Sequence, residues 1–429
     1  MKLIKTMNLL GSDSVTDADT SANQLVHNWL RVCAIVLSGI VIVSSAFHFW
    51  PFEGSKAWQI LCPSNFAVSI WIVLLIVYTL LKLDPGTIIS SLPHLSVSAF
   101  ISINLLSVAF APDPGRAASY TVKLALILIG AYTLFSPAIY DMRSLKIFYH
   151  LVAVAVMISI TYCLVRRFGL SSDKFGFHDN AYKYGTYVGV FAPLCASYFL
   201  ISPETWKIFL GMIISAGALI SSGTLGALAA ISTGMLAAMI IIPQWSKRFC
   251  ILGSVIFGIG AMIIISNLNP ASGIYDDLKL REKDEINLKQ RYIEWQAEVN
   301  ILEDRTITGT GAGCINDFRS NFYYRLPKLN TLKAFDQNGW LTTGAETGIV
   351  GLVCFCWIVL YYGRLALILV IDSKRKETDV NSKFAVANLA GFIAACVANL
   401  FSSIHYNGVL IVFVLVLVLI SRIHVLVNK

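Results

Sequence analysis

Apolar runs of about 18 to 22 residues recur along the chain, each long enough as a helix to cross roughly 30 Å of hydrocarbon. Twelve such spans are predicted, at residues 31–50, 66–83, 95–111, 119–139, 145–165, 181–203, 206–222, 224–242, 249–267, 343–363, 384–402 and 408–427. Only Gly223 separates the seventh from the eighth, so Ser221-Ser222-Gly223 has to make that turn. Between the ninth and tenth spans lies one long polar stretch, the only part of the chain that reads like a soluble protein. The pattern therefore divides the chain into a polar tail (1–30), spans one to nine (31–267), a long loop with amphipathic helices (268–342) and spans ten to twelve (343–429). The predicted fold class is an all-α polytopic integral membrane protein of about twelve transmembrane helices with one long extracytoplasmic loop.

Composition agrees. The 429 residues are 56% hydrophobic and 14% charged, with a mean hydropathy of +0.69. Soluble domains carry about a quarter charged residues, so a disordered chain, a coiled coil and an ordinary soluble enzyme are excluded. The net charge of +8 fits cationic loops at an anionic membrane surface better than nucleic-acid binding. Sixteen Lys and Arg fall on one side of the predicted bundle, seven on the other and ten in the long loop, which translocates largely regardless of charge. Both termini are then predicted to be cytoplasmic and the long loop extracytoplasmic. The first 30 residues precede a full-length span and read as a tail, not as a cleaved signal peptide. Most of the nine cysteines lie inside apolar runs as small hydrophobes; Cys62 and Cys314 fall in loops, with no spacing that argues for a disulfide. No CxxC or His-rich cluster suggests zinc or iron–sulfur.

Within the long loop, Leu288, Tyr292, Trp295, Val299 and Leu302 recur at helical spacing and predict an apolar stripe, with Lys289, Glu294, Glu298 and Glu303 off it. Arg291 precedes Trp295 by four residues, close enough to lie over its ring. A three-glycine turn follows, GTGAG at 309–313, and then a second amphipathic stretch around Phe318–Leu326 with Arg319, Tyr323, Tyr324 and Arg325.

Candidate chemistry begins with an absence. No Asp or Glu lies deep in a predicted span, and Glu346, near the start of span ten, comes nearest, which weighs against an ion-coupled transporter. Lys123 on span four and Lys183 early in span six each face a polar cavity or anionic ligand, or else snorkel to the interface. His150 is the other intramembrane candidate. On the loop side Arg116, Arg166, Arg167, Lys183, Arg281, Arg291, Arg319 and Arg325 form a cationic set suited to phosphate oxygens. Taken singly, each is accounted for by pairing with the twelve carboxylates of 268–346 or with headgroups. In FDQNGWLTTGAETGIVGL, 335–352, Asp336 is the expected N-cap, and Asn338, Thr342 and Glu346 share one face. That polar stripe should line a cavity, with Glu346 as general base or as the group that orients one. Gly344, Gly348 and Gly351 allow close helix approach.

The order of these features resembles the O-antigen ligase/O-antigen polymerase superfamily of bacterial envelope glycosyltransferases. The residues that carry it are RYIEW (291–295), GTGAG (309–313) and NGWL…ETGIVG (338–351), with weaker echoes in LLSVAFAPDPGRA (105–117) and HDNAYKYGTYVGVFAP (178–193). The resemblance implies transfer of glycan from an undecaprenyl-diphosphate carrier at the periplasmic face of the inner membrane. It implies a lipid-linked oligosaccharide donor, a glycan or lipid A–core acceptor, a chain-length regulator protein as partner, and no cofactor. Arg291 matches the loop arginine that holds the diphosphate, with Lys183, Lys123, Arg319 and Arg325 as further cations. Asn338 matches the Asn of a His-Asn pair whose His is Gln337 here, and the Arg of a Ser-Arg-Gly turn is Leu225. His178 or Glu346 would then take the acceptor proton, and His48 and His405 also fall near that face. These losses count against a standard ligase, whose base is that His, and favour a polymerase or a divergent transferase. No Asp-x-Asp occurs in the first outer loop, so metal-independent transfer is expected. The rival from another class is a lipid-linked glycan flippase or other transporter, whose distributed cavity charge and internal repeat are not seen.

Overall fold

The computed structural model describes residues 29–42, 68, 70–74, 93–169, 181–222, 224–242, 244–268, 280–322, 338–375, 379–401 and 407–427. Among these residues the regular structure is all helical. The helices are α1 Trp29–Ile42, α2 Leu95–Ser107, α3 Pro114–Ala138, α4 Met142–Gly169, α5 Ala181–Leu200, α6 Thr205–Ser222 and α7 Leu225–Ile241. They continue as α8 Trp245–Leu268, α9 Leu280–Asp304, α10 Ile315–Phe322, α11 Gly339–Arg375, α12 Asp379–Phe401 and α13 Asn407–Val427. Six are long and apolar enough to cross a membrane, within α3, α4, α6, α11, α12 and α13. The chain is a multi-pass membrane protein.

Local chemistry sets the helix starts. Asp113 caps α3, its carboxylate accepting from the Arg116 N–H at 3.0 Å, with Pro114 in the first turn where its missing N–H costs nothing. Thr224 caps α7 and completes the tight turn after α6. His94 caps α2 through Nδ1 and stacks on Tyr361 of α11, ring centroids 3.5 Å apart.

The core centres on α12, which packs against α5, α7, α11 and α13. Lipid supplies little drive for helices to associate, so close backbone approach has to contribute through dispersion. At Gly234 of α7 an added Cβ would meet the Ala390 carbonyl of α12 and the Pro193 ring of α5 at 2.8 Å. Beside this seam Tyr149, Tyr198 and Phe384 stack, and the Asn388 amide donates to the Tyr149 hydroxyl and the Phe384 carbonyl, both at 2.8 Å.

Three expectations change. The N-cap of α11 is Asn338, whose side-chain oxygen accepts from the N–H groups of Trp340 (3.0 Å) and Leu341 (3.2 Å); Asp336 lies outside the described residues. Span ten is not one helix: Gly348 has φ 70° and ψ −175°, far from helical values, and divides α11 into 339–347 and 349–375. The buried face of α9 is also rotated from the apolar stripe. Ile293, Glu294, Ala297, Glu298 and Ile301 are buried, whereas Tyr292 is 65% exposed. Glu298 turns inward because the Thr342 hydroxyl of α11 donates to it there, beside the apolar contact of Ile301 with Ala345.

Candidate functional site

The loop and the broken helix form one structure. Where Gly348 interrupts α11, the helical ladder fails, and the segment after α9 takes it over. Thr310 N–H donates to the Ala345 carbonyl and Gly311 N–H to the Glu346 carbonyl, both at 2.9 Å, while Ile349 N–H donates to the Thr306 carbonyl at 2.7 Å. This answers the backbone accounting that any buried helix interruption imposes. It also explains the GTGAG turn. Gly309, Gly311 and Gly313 all have positive φ, and a Cβ at Gly309 would collide with the Glu346 carbonyl.

The same turn rests on the 105–117 segment. Ala312 N–H donates to the Ser107 hydroxyl at 3.1 Å, and Gly311 and Gly313 abut Ala111 and Tyr120. Cys314 lies beside the Asp113 carbonyl at 3.9 Å, and burial raises its thiol above the usual cysteine value, so it stays a neutral thiol. Arg116 closes the junction on the outside with both oxygens of Asp317 on α10, at 3.0 and 3.2 Å. These two side chains are 46% and 42% exposed, so the pair is screened. Arg116→Ala should shift unfolding stability by no more than about 1 kcal/mol, read by thermal unfolding in detergent.

A small apolar cluster of Ile301, Ile315 and Ala345, with Phe318 against it, ties α9, α10 and the first half of α11 together. Arg305 lies over the Phe318 ring at 4.4 Å. Above this cluster the polar side chains gather. Asn338, Thr342 and Glu346 are all buried on the first half-helix, and the Thr342 hydroxyl donates to Glu298 Oε1 of α9 at 3.1 Å. Glu294 and Glu298 are 0% and 1% exposed. The site is thus a buried polar face shared between α11 and α9. Asn399 of α12 adds a further polar side chain, against Gly339 at the start of α11.

Of the residues expected to act, Glu346 and Asn338 are brought together on this face. Asn338 is already committed, through its side-chain oxygen, to capping. Arg291 lies in α9, in register with positions 294, 298 and 301 by helical spacing, and Arg319 lies in α10. Lys183 lies in the first turn of α5, and Leu225 opens α7. Lys123 is exposed on α3 beside Val122 and Leu126, while Thr121 and Leu124 carry the buried face, so it does not line the interior of the bundle. His178, Arg325, Gln337, His48 and His405 fall outside the described residues. His150 is exposed, its ring Nδ1 2.7 Å from the Lys146 carbonyl one turn earlier. Sequence reasoning missed Glu294 and Glu298. Their i, i+4 spacing beside Arg291 was the available signal.

Residues 210–356 match the family model described as O-antigen ligase, a range that runs from α6 through the loop to just beyond the break in α11. No curated protein matches the chain. The matched range holds the GTGAG clip, the buried carboxylates and the broken helix, and it agrees with the resemblance to the O-antigen ligase/O-antigen polymerase superfamily.

Proposed function

We propose that the protein is a surface-polysaccharide polymerase of the inner membrane, joining glycan from an undecaprenyl-diphosphate carrier to a further lipid-linked repeat at the periplasmic face. The observation that carries this reading is the buried polar face of Asn338, Thr342 and Glu346, held against the helix that bears Arg291. The reaction is a displacement at the anomeric carbon. The acceptor oxygen forms the new bond, the bond from carbon to the phosphate oxygen breaks, and its electron pair leaves on the diphosphate. The acceptor proton passes to Glu346 or His178. The leaving group is already good, so stabilising its developing charge is the main task. Arg291, with Lys183, Arg319 and Arg325, suits that task, at about 3–4 kcal/mol for each well-placed donor in a dry cleft. Lys123 can serve only from the outer surface of α3.

The absent histidine at 337 favours the polymerase. The ligase, with lipid A–core as acceptor, is the second reading, favoured by the description of the matching family. The experiment supplies purified protein in liposomes with undecaprenyl-diphosphate-linked repeat unit alone, and resolves products by size. A ladder of longer lipid-linked glycans supports the polymerase. If product forms only after lipid A–core is added, the ligase replaces it. Silence in both arms moves the reading to a lipid-linked glycan transporter. On the polymerase reading both termini are cytoplasmic, and a chain-length regulator is the expected protein partner.

A further inference from the structure

We infer that the segment Thr306–Gly311 is a positioning element for Glu346: the loop, and not continuity with its own span, sets the orientation of the half-helix that carries the site. This deepens the proposed transferase reading and rests on it. At Gly348 both dihedrals depart from helical values by more than about 100°. Winding this residue back into a helix would therefore swing 339–347 as a unit and carry Asn338, Thr342 and Glu346 with it. Three backbone bonds prevent that, from Thr310 and Gly311 to the carbonyls of Ala345 and Glu346 and from Ile349 to the carbonyl of Thr306. One bond ends on the carbonyl of Glu346 itself.

The clip is rigidly joined to α9. Arg305 N–H donates to the Ile301 carbonyl and Gly309 N–H to the Arg305 carbonyl, each at 2.9 Å, so the helix end runs into the turn without slack. The Thr342–Glu298 bond is a second strut between the same two bodies, one turn before Glu346. This close approach of the two backbones admits only glycine at two points. A Cβ on Gly348 would strike the Ile307 carbonyl, and one on Gly309 the Glu346 carbonyl. Thus the loop and the half-helix interlock at the backbone, whatever side chains the substrate touches.

Ile349 allows one clip bond to be removed alone. It is the first residue of the second half-helix, a position where proline is well tolerated and an N–H is not needed by the helix itself. Gly348, extended in ψ, suits a following proline. Ile349→Pro deletes the N–H that donates to Thr306; Ile349→Ala trims the side chain, keeps the N–H, and is the reference. The expected result is a kcat for Ile349→Pro about tenfold or more below that of Ile349→Ala, with KM for the lipid-linked donor unchanged, since small misplacements of reacting groups cost up to about 10²-fold. Gly348→Ala should lose more, through strain at positive φ, or fail to fold.

A readout independent of turnover keeps the two claims apart. Glu346→Cys, placed in each Ile349 background and compared with its parent, is labelled with a soluble maleimide. Faster labelling, by about fivefold or more, in the Pro background than in the Ala background supports the clip whether or not transfer is seen. Equal kcat and equal labelling in the two backgrounds overturn it. Absence of transfer by the unaltered protein, with labelling that still differs, overturns the transferase reading and leaves the clip standing.

Discussion

On the proposed transferase reading, Arg291→Ala should lower glycan transfer from the lipid-linked donor by about 10²- to 10³-fold, the usual cost of removing one charge-stabilising donor from a dry site. Arg291 belongs to α9, two turns before Glu298, and at helical spacing from it Glu294, Glu298 and Ile301 are buried. A guanidinium there offers a planar fork to two phosphate oxygens, which a point-charge ammonium does not reproduce. Arg291→Lys should therefore recover only part of the loss, and the deficit should lie in kcat more than in KM, because the diphosphate gains charge as the sugar leaves. Product sizing in liposomes, at saturating and limiting donor, measures both. Unchanged polymer from Arg291→Ala would remove Arg291 from the diphosphate site and with it the central electrostatic claim.

The helical framework was legible because membrane spans are written in local pattern. The expected spans at 145–165, 206–222 and 408–427 coincide, within a few residues at each end, with helices long and apolar enough to cross a membrane. The interruption of span ten was not legible in that way. Nothing in ETGIVG distinguishes a glycine used for close packing from one at positive φ; the difference is made by backbone groups of Thr306, Thr310 and Gly311, some forty residues earlier. The motif order GTGAG then ETGIVG was visible, but its cause is a tertiary clip. The same holds for α9. Periodicity assumes that the apolar face is the buried one, and that fails when the partner surface is itself polar. Thr342 supplies that surface, and it draws Glu298 inward while Tyr292 faces out. Asn338 displaced Asp336 as the N-cap for a related reason. Either side chain can cap, and only the position of Gly339 as first helical residue decides between them.

Glu298→Ala should be among the most damaging substitutions in the loop, and its effect should separate into two parts. The carboxylate is fully buried and accepts from Thr342, so truncation leaves a buried hydroxyl short of an acceptor and opens a void, costing the fold about 1–3 kcal/mol. Thr342→Val removes the donor instead, and because the two side chains form one interaction, the double variant should cost little more than the worse single one. Glu298→Gln is the informative member of the series. It keeps the volume and an oxygen for Thr342, so thermal unfolding in detergent should stay within about 1 kcal/mol of the unaltered protein. Any loss of transfer beyond that then reports the carboxyl group itself. Full turnover by Glu298→Gln would restrict Glu298 to packing and leave the placement of Glu346 to the backbone clip alone.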